Sequence, residues 1–222
     1  MNELTKNQKL AIEVLANSDL SNKFYWSGGT LLAVKYLNHR KSEDVDFFSN
    51  ERFGREELED WLNDFMKRSG LKKFKEEKIY DRWEFGFEGG EGLRVEFVYY
   101  NHDRKTLVKR VKYKGVMVDS LDDIAANKTL AFIDRNEPKD LFDIYFLIKK
   151  TKFTPKKLLD LVERKFGCEF EEGLFWSESY RKAPLLDKMA HLILNKNKSE
   201  LIDEIKEYFG EGARQFLKRK LG

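Results

Sequence analysis

The chain has 222 residues, 41% hydrophobic and 14% aromatic, which is enough to bury a real core and excludes collagen-like, low-complexity and mucin-like classes. Charged residues reach 36%, but 42 Lys and Arg stand against 39 Asp and Glu, so the net charge of +3 does not argue for a dedicated polyanion coat. No apolar run approaches the roughly 20 residues of a membrane span. The polar start Met1-Asn2-Glu3-Leu4-Thr5-Lys6 lacks a signal-peptide core, and with Cys168 as the single cysteine a reducing cytoplasm is the expected compartment.

Up to residue 120 helices and strands alternate. Spacing predicts a helix over 4–16, a short strand over 24–26, a helix over 30–38 and a strand over 45–48. Leu58, Trp61, Leu62, Phe65 and Met66 then share one face of a helix over 55–68. The period next drops to two. Strands are expected over 82–87 and 93–99, joined by Gly89-Gly90-Glu91-Gly92, with a further strand over 112–118.

Beyond residue 120 the pattern is helical. Ser120 answered by Asp123 reads as a capping-box-like start, Pro138 and Pro155 suit first-turn positions, and Thr154 precedes the second as a cap. A last helix opens near Ser199 and carries Leu201, Ile202, Ile205 and Phe209. The expected organisation is an α/β (α+β) core over 1–119, a mixed sheet flanked by helices, followed by a helical region over 120–222 packed on it without a flexible tether.

The informative segment is Gly28-Gly29-Thr30, followed after one helix by His39-Arg40-Lys41-Ser42-Glu43-Asp44-Val45-Asp46-Phe47-Phe48. Two glycines between a strand and a helix let a ligand approach the helix amides, although such a pair is more often a plain turn. Along Asp44-Val45-Asp46-Phe47 side chains alternate, so both carboxylates share one face and need a compensating cation. Magnesium, which prefers oxygen ligands, is a natural candidate; a solvated edge strand is the alternative. Glu96, in Leu93-Arg94-Val95-Glu96-Phe97, would complete a trio if its strand lies beside the first. Such a trio suits a two-metal site, and cross-strand pairing with a basic residue is the competing account of Glu96.

These residues resemble the signature of the polymerase-β-like nucleotidyltransferase superfamily. More narrowly, the segment from His39 to Phe48 resembles the AbiEii/AbiGii family, nucleotidyltransferase toxins of type IV toxin–antitoxin and abortive-infection systems. Lys128, Arg135, Lys139-Asp140 and Asp143 follow the order of that family's second half, so the resemblance spans about residues 24 to 148. It implies a polymerase-β-like core and Mg²⁺-dependent transfer of a nucleoside monophosphate from an NTP to an acceptor hydroxyl. RNA, with tRNA leading, is the implied acceptor, and a separately encoded antitoxin the implied partner. Asp44, Asp46 and Glu96 are the implied metal and catalytic carboxylates. Gly28, Gly29, Thr30, Arg40, Ser42, Lys128 and Asp140 would hold the nucleotide, Lys128 and Asp143 serving catalysis as well.

Lys128 is unusual without any resemblance, because it lies in the apolar stripe of Leu121, Ile124, Ala125 and Phe132. Its ammonium can snorkel to water or meet a triphosphate and offset charge as pyrophosphate departs. Asp140 at a helix start can simply favour the dipole, whereas Asp143 interrupts apolar residues and is expected to orient Lys128 or Arg40 or to act on the acceptor. Arg40 and Ser42 have a solvated turn as their alternative. Arg104, Lys105, Lys109, Arg110, Lys112 and Lys114, with Tyr113 among them, could track an RNA backbone or form a solvated face. His39, His102 and His191 are too scattered for zinc, and Cys168 lacks a catalytic partner. The competing function is a non-catalytic nucleotide- or RNA-binding regulatory module; three retained carboxylates and Lys128 weigh against it.

Overall fold

The computed structural model describes residues 3–101 and 106–222, so His102, Arg104 and Lys105 lie outside the described residues. It divides into two compact units, one of residues up to Asn38 together with Ser42–Leu121, the other of His39–Lys41 with Asp122–Gly222.

In the first unit α1 (Lys6–Ala16) opens on a capping box: Thr5 Oγ1 accepts from Gln8 N at 3.1 Å and Gln8 Oε1 accepts from Thr5 N at 3.0 Å. Strand β1 (Tyr25–Ser27) runs directly into a short α2 (Gly28–Leu31), which continues as a π-helical turn over Leu32–Leu37 and stops at Asn38 in the left-handed region. The helix expected over 30–38 therefore starts earlier and is wider-wound in its second half. Next come β2 (Asp44–Ser49), α3 (Glu59–Ser69), β3 (Lys72–Ile79), β4 (Arg82–Glu88), β5 (Leu93–Tyr99), β6 (Val111–Tyr113) and β7 (Val116–Val118).

Seven strands form one mixed sheet in the order β3-β4-β5-β2-β1-β7-β6. β2 pairs with β5 and β1 with β7 in parallel, and the other pairs are antiparallel. β2 is thus the middle strand, which removes the edge-strand alternative for Asp44 and Asp46. Lys72–Ile79 carries so many Lys and Glu that no apolar alternation marks it beforehand; it is an edge strand of the charged kind that resists further pairing. The single strand expected over 112–118 is instead a hairpin. Lys114 and Gly115 both take positive φ, 51° and 86°, the backbone of a two-residue hairpin turn with inverted handedness.

Alternation sends Val45, Phe47, Val95, Phe97, Phe85 and Phe87 to a buried face. There Trp61 and Phe65 of α3 meet them: Trp61 to Phe97 is 5.0 Å, Trp61 to Phe47 6.2 Å and Phe65 to Phe87 4.8 Å between ring centres.

The second unit holds most of α4 (Leu121–Asp134), then α5 (Pro138–Lys150), α6 (Pro155–Phe166), α7 (Glu172–Lys182) and α8 (Lys198–Leu221). Pro138 and Pro155 occupy first-turn positions, and Thr154 Oγ1 accepts from Lys157 N at 3.2 Å. Phe132 of α4 packs on Phe175 of α7 at 5.4 Å, and the buried Lys165 ammonium meets Asp123 at 3.0 Å. Residues His39–Lys41 join this unit through the Lys41 amide, which donates to the Leu192 carbonyl at 2.7 Å. No helix among the described residues is long and apolar enough to cross a membrane.

Trp61 is 1% exposed and touches rings on two strands as well as Phe65 of its own helix. Trp61→Ala is expected to cost about 3–5 kcal/mol of unfolding free energy, read by urea denaturation with far-UV circular dichroism.

Candidate functional site

The turn after β1 is built against the acidic strand. Gly28 has φ +81°, and a Cβ there would sit 2.9 Å from Asp46 Cγ and closer still to Oδ2, so only glycine lets the chain leave β1 beside that carboxylate. Gly29 follows in α2. Thr30 is buried; its hydroxyl donates to the Asp44 carbonyl and lies 2.9 Å from Ser42 Oγ, while Gln8 Nε2 donates to the Ser42 carbonyl at 2.8 Å. Thr30 and Ser42 thus clamp the glycine turn to the start of β2.

Strand register then sets out a row of polar side chains. Ser27, Asp46, Glu96 and Glu84 are successive partners across β1, β2, β5 and β4, and Asp44 lies opposite Arg94. All stand on the face opposite Val45, Phe47 and Phe97. Cations intervene. Arg94 forks onto Asp44, its Nε donating to Oδ1 at 2.8 Å and its Nη2 to Oδ2, and it lies 3.9 Å from Glu96. Hydrogen bonding to Asp44 raises the Arg94 pKa above its ordinary value, against the opposing effect of burial. Arg82 Nη1 reaches Glu96 at 3.3 Å, so the cross-strand pairing set beside the metal reading of Glu96 is present as well. Lys75 pairs with the buried Glu84 at 2.7 Å.

As they stand, Asp44, Asp46 and Glu96 are neighbours on one face but do not form a closed cage: no group of three His, Cys, Asp or Glu among the described residues is poised to hold a metal ion. Asp44 and Glu96 are engaged by arginines instead, Asp44 by Arg94 and Glu96 by Arg82. The donor set itself, three carboxylates and a glycine turn that leaves Asp46 uncrowded, has the hard-oxygen chemistry that Mg²⁺ takes.

Ser27 Oγ donates to Asp119 Oδ2 at 2.8 Å. Asp119 also accepts from Arg110 Nε at 2.7 Å, and the Arg110 guanidinium lies 3.3 Å above the Tyr25 ring. Arg110 is therefore built into the sheet, whereas Lys109, Lys112 and Lys114 of the same basic stretch are exposed.

In the second unit the remaining site residues form one buried ionic network. Asp143, fully buried, accepts from Arg40 Nε at 2.6 Å and Nη2 at 2.9 Å, from Lys128 Nζ at 2.8 Å and from His39 Nε2 at 2.7 Å. Asp140 accepts from Lys128 Nζ at 3.0 Å and from Arg135 Nε at 2.6 Å. Neither alternative of a snorkelling Lys128 nor of a solvated Arg40 describes these positions, since they are 7% and 2% exposed. Burial pushes the Asp143 pKa up, but the Arg40 and Lys128 charges outweigh it and hold the carboxyl well below its usual range; Lys128 and Arg135 do the same for Asp140. Burial opposes the Lys128 charge, yet Asp143 and Asp140 leave its pKa raised. For His39 burial wins and the pKa is lowered, so the ring stays neutral, donates from Nε2 and leaves a buried Nδ1 without a partner.

His39, Arg94, Arg82 and Glu84 were not expected at these places. Same-face spacing on β5 links Arg94 to Glu96, and on β4 Arg82 to Glu84, but their partners become visible only once β2, β5 and β4 are aligned. His39 lies 104 residues from Asp143, beyond any local pattern.

The depressed carboxyls stabilise the fold above their unfolded-state pKa of about 4 and lose that contribution as pH falls through the folded values. Lowered His39 acts in the same direction from a higher pH: below about 6.5 the unfolded chain binds a proton that the folded ring refuses. Lys128 contributes at and below the ordinary lysine value and loses its share as pH rises through the raised one. Between pH 7.5 and 5.5 the wild type should lose unfolding free energy at up to about 1.4 kcal/mol per pH unit more than His39→Gln, measured by urea titrations at each pH. Asp143→Ala, which strands Arg40 and Lys128, is expected to cost about 3–5 kcal/mol in the same assay at pH 7.

The uncharacterized protein aq_aa25 of Aquifex aeolicus (strain VF5) is 26% identical over 223 residues, covering all of this chain and 97% of its own. Two crystal structures from Helicobacter pylori share the fold at 18% identity. One, solved as a candidate nucleotidyltransferase, superposes with a TM-score of 0.61 over 96% of this chain and 94% of the other. The second, JHP933, gives 0.59 over 97% and 92%. The family model for the AbiEii toxin, a nucleotidyl transferase of type IV toxin–antitoxin systems, matches residues 10–219, and the chain belongs to that family as one of its nucleotidyltransferases.

Proposed function

We propose that this nucleotidyltransferase moves a nucleoside monophosphate from an NTP to an RNA hydroxyl, with tRNA the leading acceptor, and that Asp44, Asp46 and Glu96 are its metal-binding carboxylates. The observation that carries the reading is the parallel register of β2 and β5, which sets Asp46 beside Glu96 and Asp44 on the same face, with the Gly28 turn against Asp46. Magnesium bound there, as one ion or two, would lower the pKa of the attacking hydroxyl and neutralise the triphosphate. The reaction is an in-line displacement in which the acceptor oxygen bonds to the α-phosphorus and the bond to pyrophosphate breaks.

The chain's own residues divide the remaining work. Gly28 and Gly29 keep the backbone bare where the triphosphate would approach, and Thr30 with Ser42 fixes that turn relative to Asp44. Arg40 and Lys128 are the cations we assign to the nucleotide phosphates, as fixed positive charge rather than as direct contacts since both are buried, and Asp143 acts by holding both, being fully buried itself. Asp140 positions Lys128 and Arg135 in the same way. Residues 1–119 serve as the transferase core and 120–222 as the helical region. The setting is cytoplasmic, where NTP and RNA are available, and membership of a toxin–antitoxin family points to a separately encoded antitoxin as partner.

The test is incubation with Mg²⁺ and each α-³²P-labelled NTP, with and without total tRNA, resolved on denaturing RNA and protein gels. Label is expected on RNA and should fall by about 10²- to 10³-fold in Asp46→Asn, the range for losing one preorganised charge-stabilising group. Label on protein alone would overturn the RNA acceptor; label on RNA that ignores Asp46 and magnesium would overturn the assigned carboxylates.

A further inference from the structure

The first unit repeats an interaction found in the second, with one difference. Arg40 forks onto Asp143 and Arg94 forks onto Asp44, both through Nε and Nη2. Arg40 is sealed, its side chain 2% exposed, and the pair has nowhere else to go. The Arg94 side chain is 42% exposed and Asp44 24%, so water can receive the guanidinium if it lets go. Both oxygens of Asp44 are occupied by this fork, and the same guanidinium lies 3.9 Å from Glu96. A divalent cation on Asp44 and Glu96 would meet a positive charge within a few ångström, and the two cannot share the carboxylates without strong repulsion.

We propose that Arg94 is the resting counter-ion of the carboxylate row: it holds Asp44 while no divalent cation is present, leaves it when one binds, and so sets the cation affinity of the site. This rests on the metal-binding reading of Asp44, Asp46 and Glu96 given above. The second arginine of the row serves a different purpose. Arg82 meets Glu96 alone, through one nitrogen at 3.3 Å, and leaves Asp44 untouched, so its removal would not open the same carboxylate. Lys75 lies farther along the row on Glu84 and Glu77.

The proposal is tested by titrating Mn²⁺ into the full chain and counting free ion by electron paramagnetic resonance. Wild type, Arg94→Met, Arg94→Lys and Asp46→Asn are compared, with melting temperatures taken with and without the ion. Arg94→Met should bind Mn²⁺ about fivefold or more tightly than wild type, the scale of one half-exposed ion pair. It should also melt lower in metal-free buffer and gain more on adding the ion. Arg94→Lys, which keeps the charge and loses the fork, should fall between the two and carries the comparison if the Met variant does not fold. Unchanged or weaker binding in the Arg94 variants, with binding still dependent on Asp46, overturns the counter-ion role and leaves the metal reading intact. Binding that is absent or indifferent to Asp46→Asn overturns both.

Discussion

Carboxylates that stand side by side on neighbouring strands cannot be left to repel one another, and much of this protein follows from how that repulsion is relieved. Asp46, Glu96 and Glu84 are successive partners across three strands, with Asp44 next along. A sheet face of this composition holds only if cations are threaded into it, and Arg94, Arg82 and Lys75 do so from the same or adjacent strands. The opposite face is free to be wholly apolar, which is where Trp61, Phe47 and Phe97 supply the core. One strand pattern therefore separates chemistry from stability by a single residue's step.

The second unit resolves the same problem in the interior. Two buried aspartates serve three cations, and a neutral histidine fills the remaining acceptor position on Asp143. Buried ion networks of this kind add little net stability over an apolar core, while removing one partner leaves the others as uncompensated buried charge, so this one ties each charge to its partners. Arg40 and Lys128 are held at defined points in just this way, whereas Arg94 and Arg82 on the sheet face keep one side in water.

What the sequence made legible was whatever is local. The alternation in Asp44-Val45-Asp46-Phe47, the first-turn prolines at Pro138 and Pro155, the Thr154 cap and the glycine turn at Gly28 are set by near neighbours, and each stands in the fold as its residues imply. The adjacency of β2 and β5 could be stated only as a condition, because pairing of strands 50 residues apart leaves no local mark. β3 was hidden by its charge, and the hairpin over Val111–Val118 by Lys114, a residue that does not advertise a left-handed turn as Asn or Asp would. The partners of Arg94 and His39 belong to the same class: the residues are plain in the chain, but what they touch is decided by tertiary register.

Arg40 and His39 enter the helical unit from a point 103 and 104 residues before the aspartate they bind. During synthesis, therefore, the strand-rich unit can be finished while these two side chains still wait for α5 to emerge. Closing so long a loop is slow compared with forming a helix or a hairpin, and the Asp143 network is expected among the last elements to assemble. A fragment beginning at Asp122 would contain every helix of the second unit and still lack two of the groups that neutralise or saturate Asp143. The second unit is thus discontinuous in sequence, and its Asp143 network is complete only once the segment carrying Arg40 and the helix α5 have both been made.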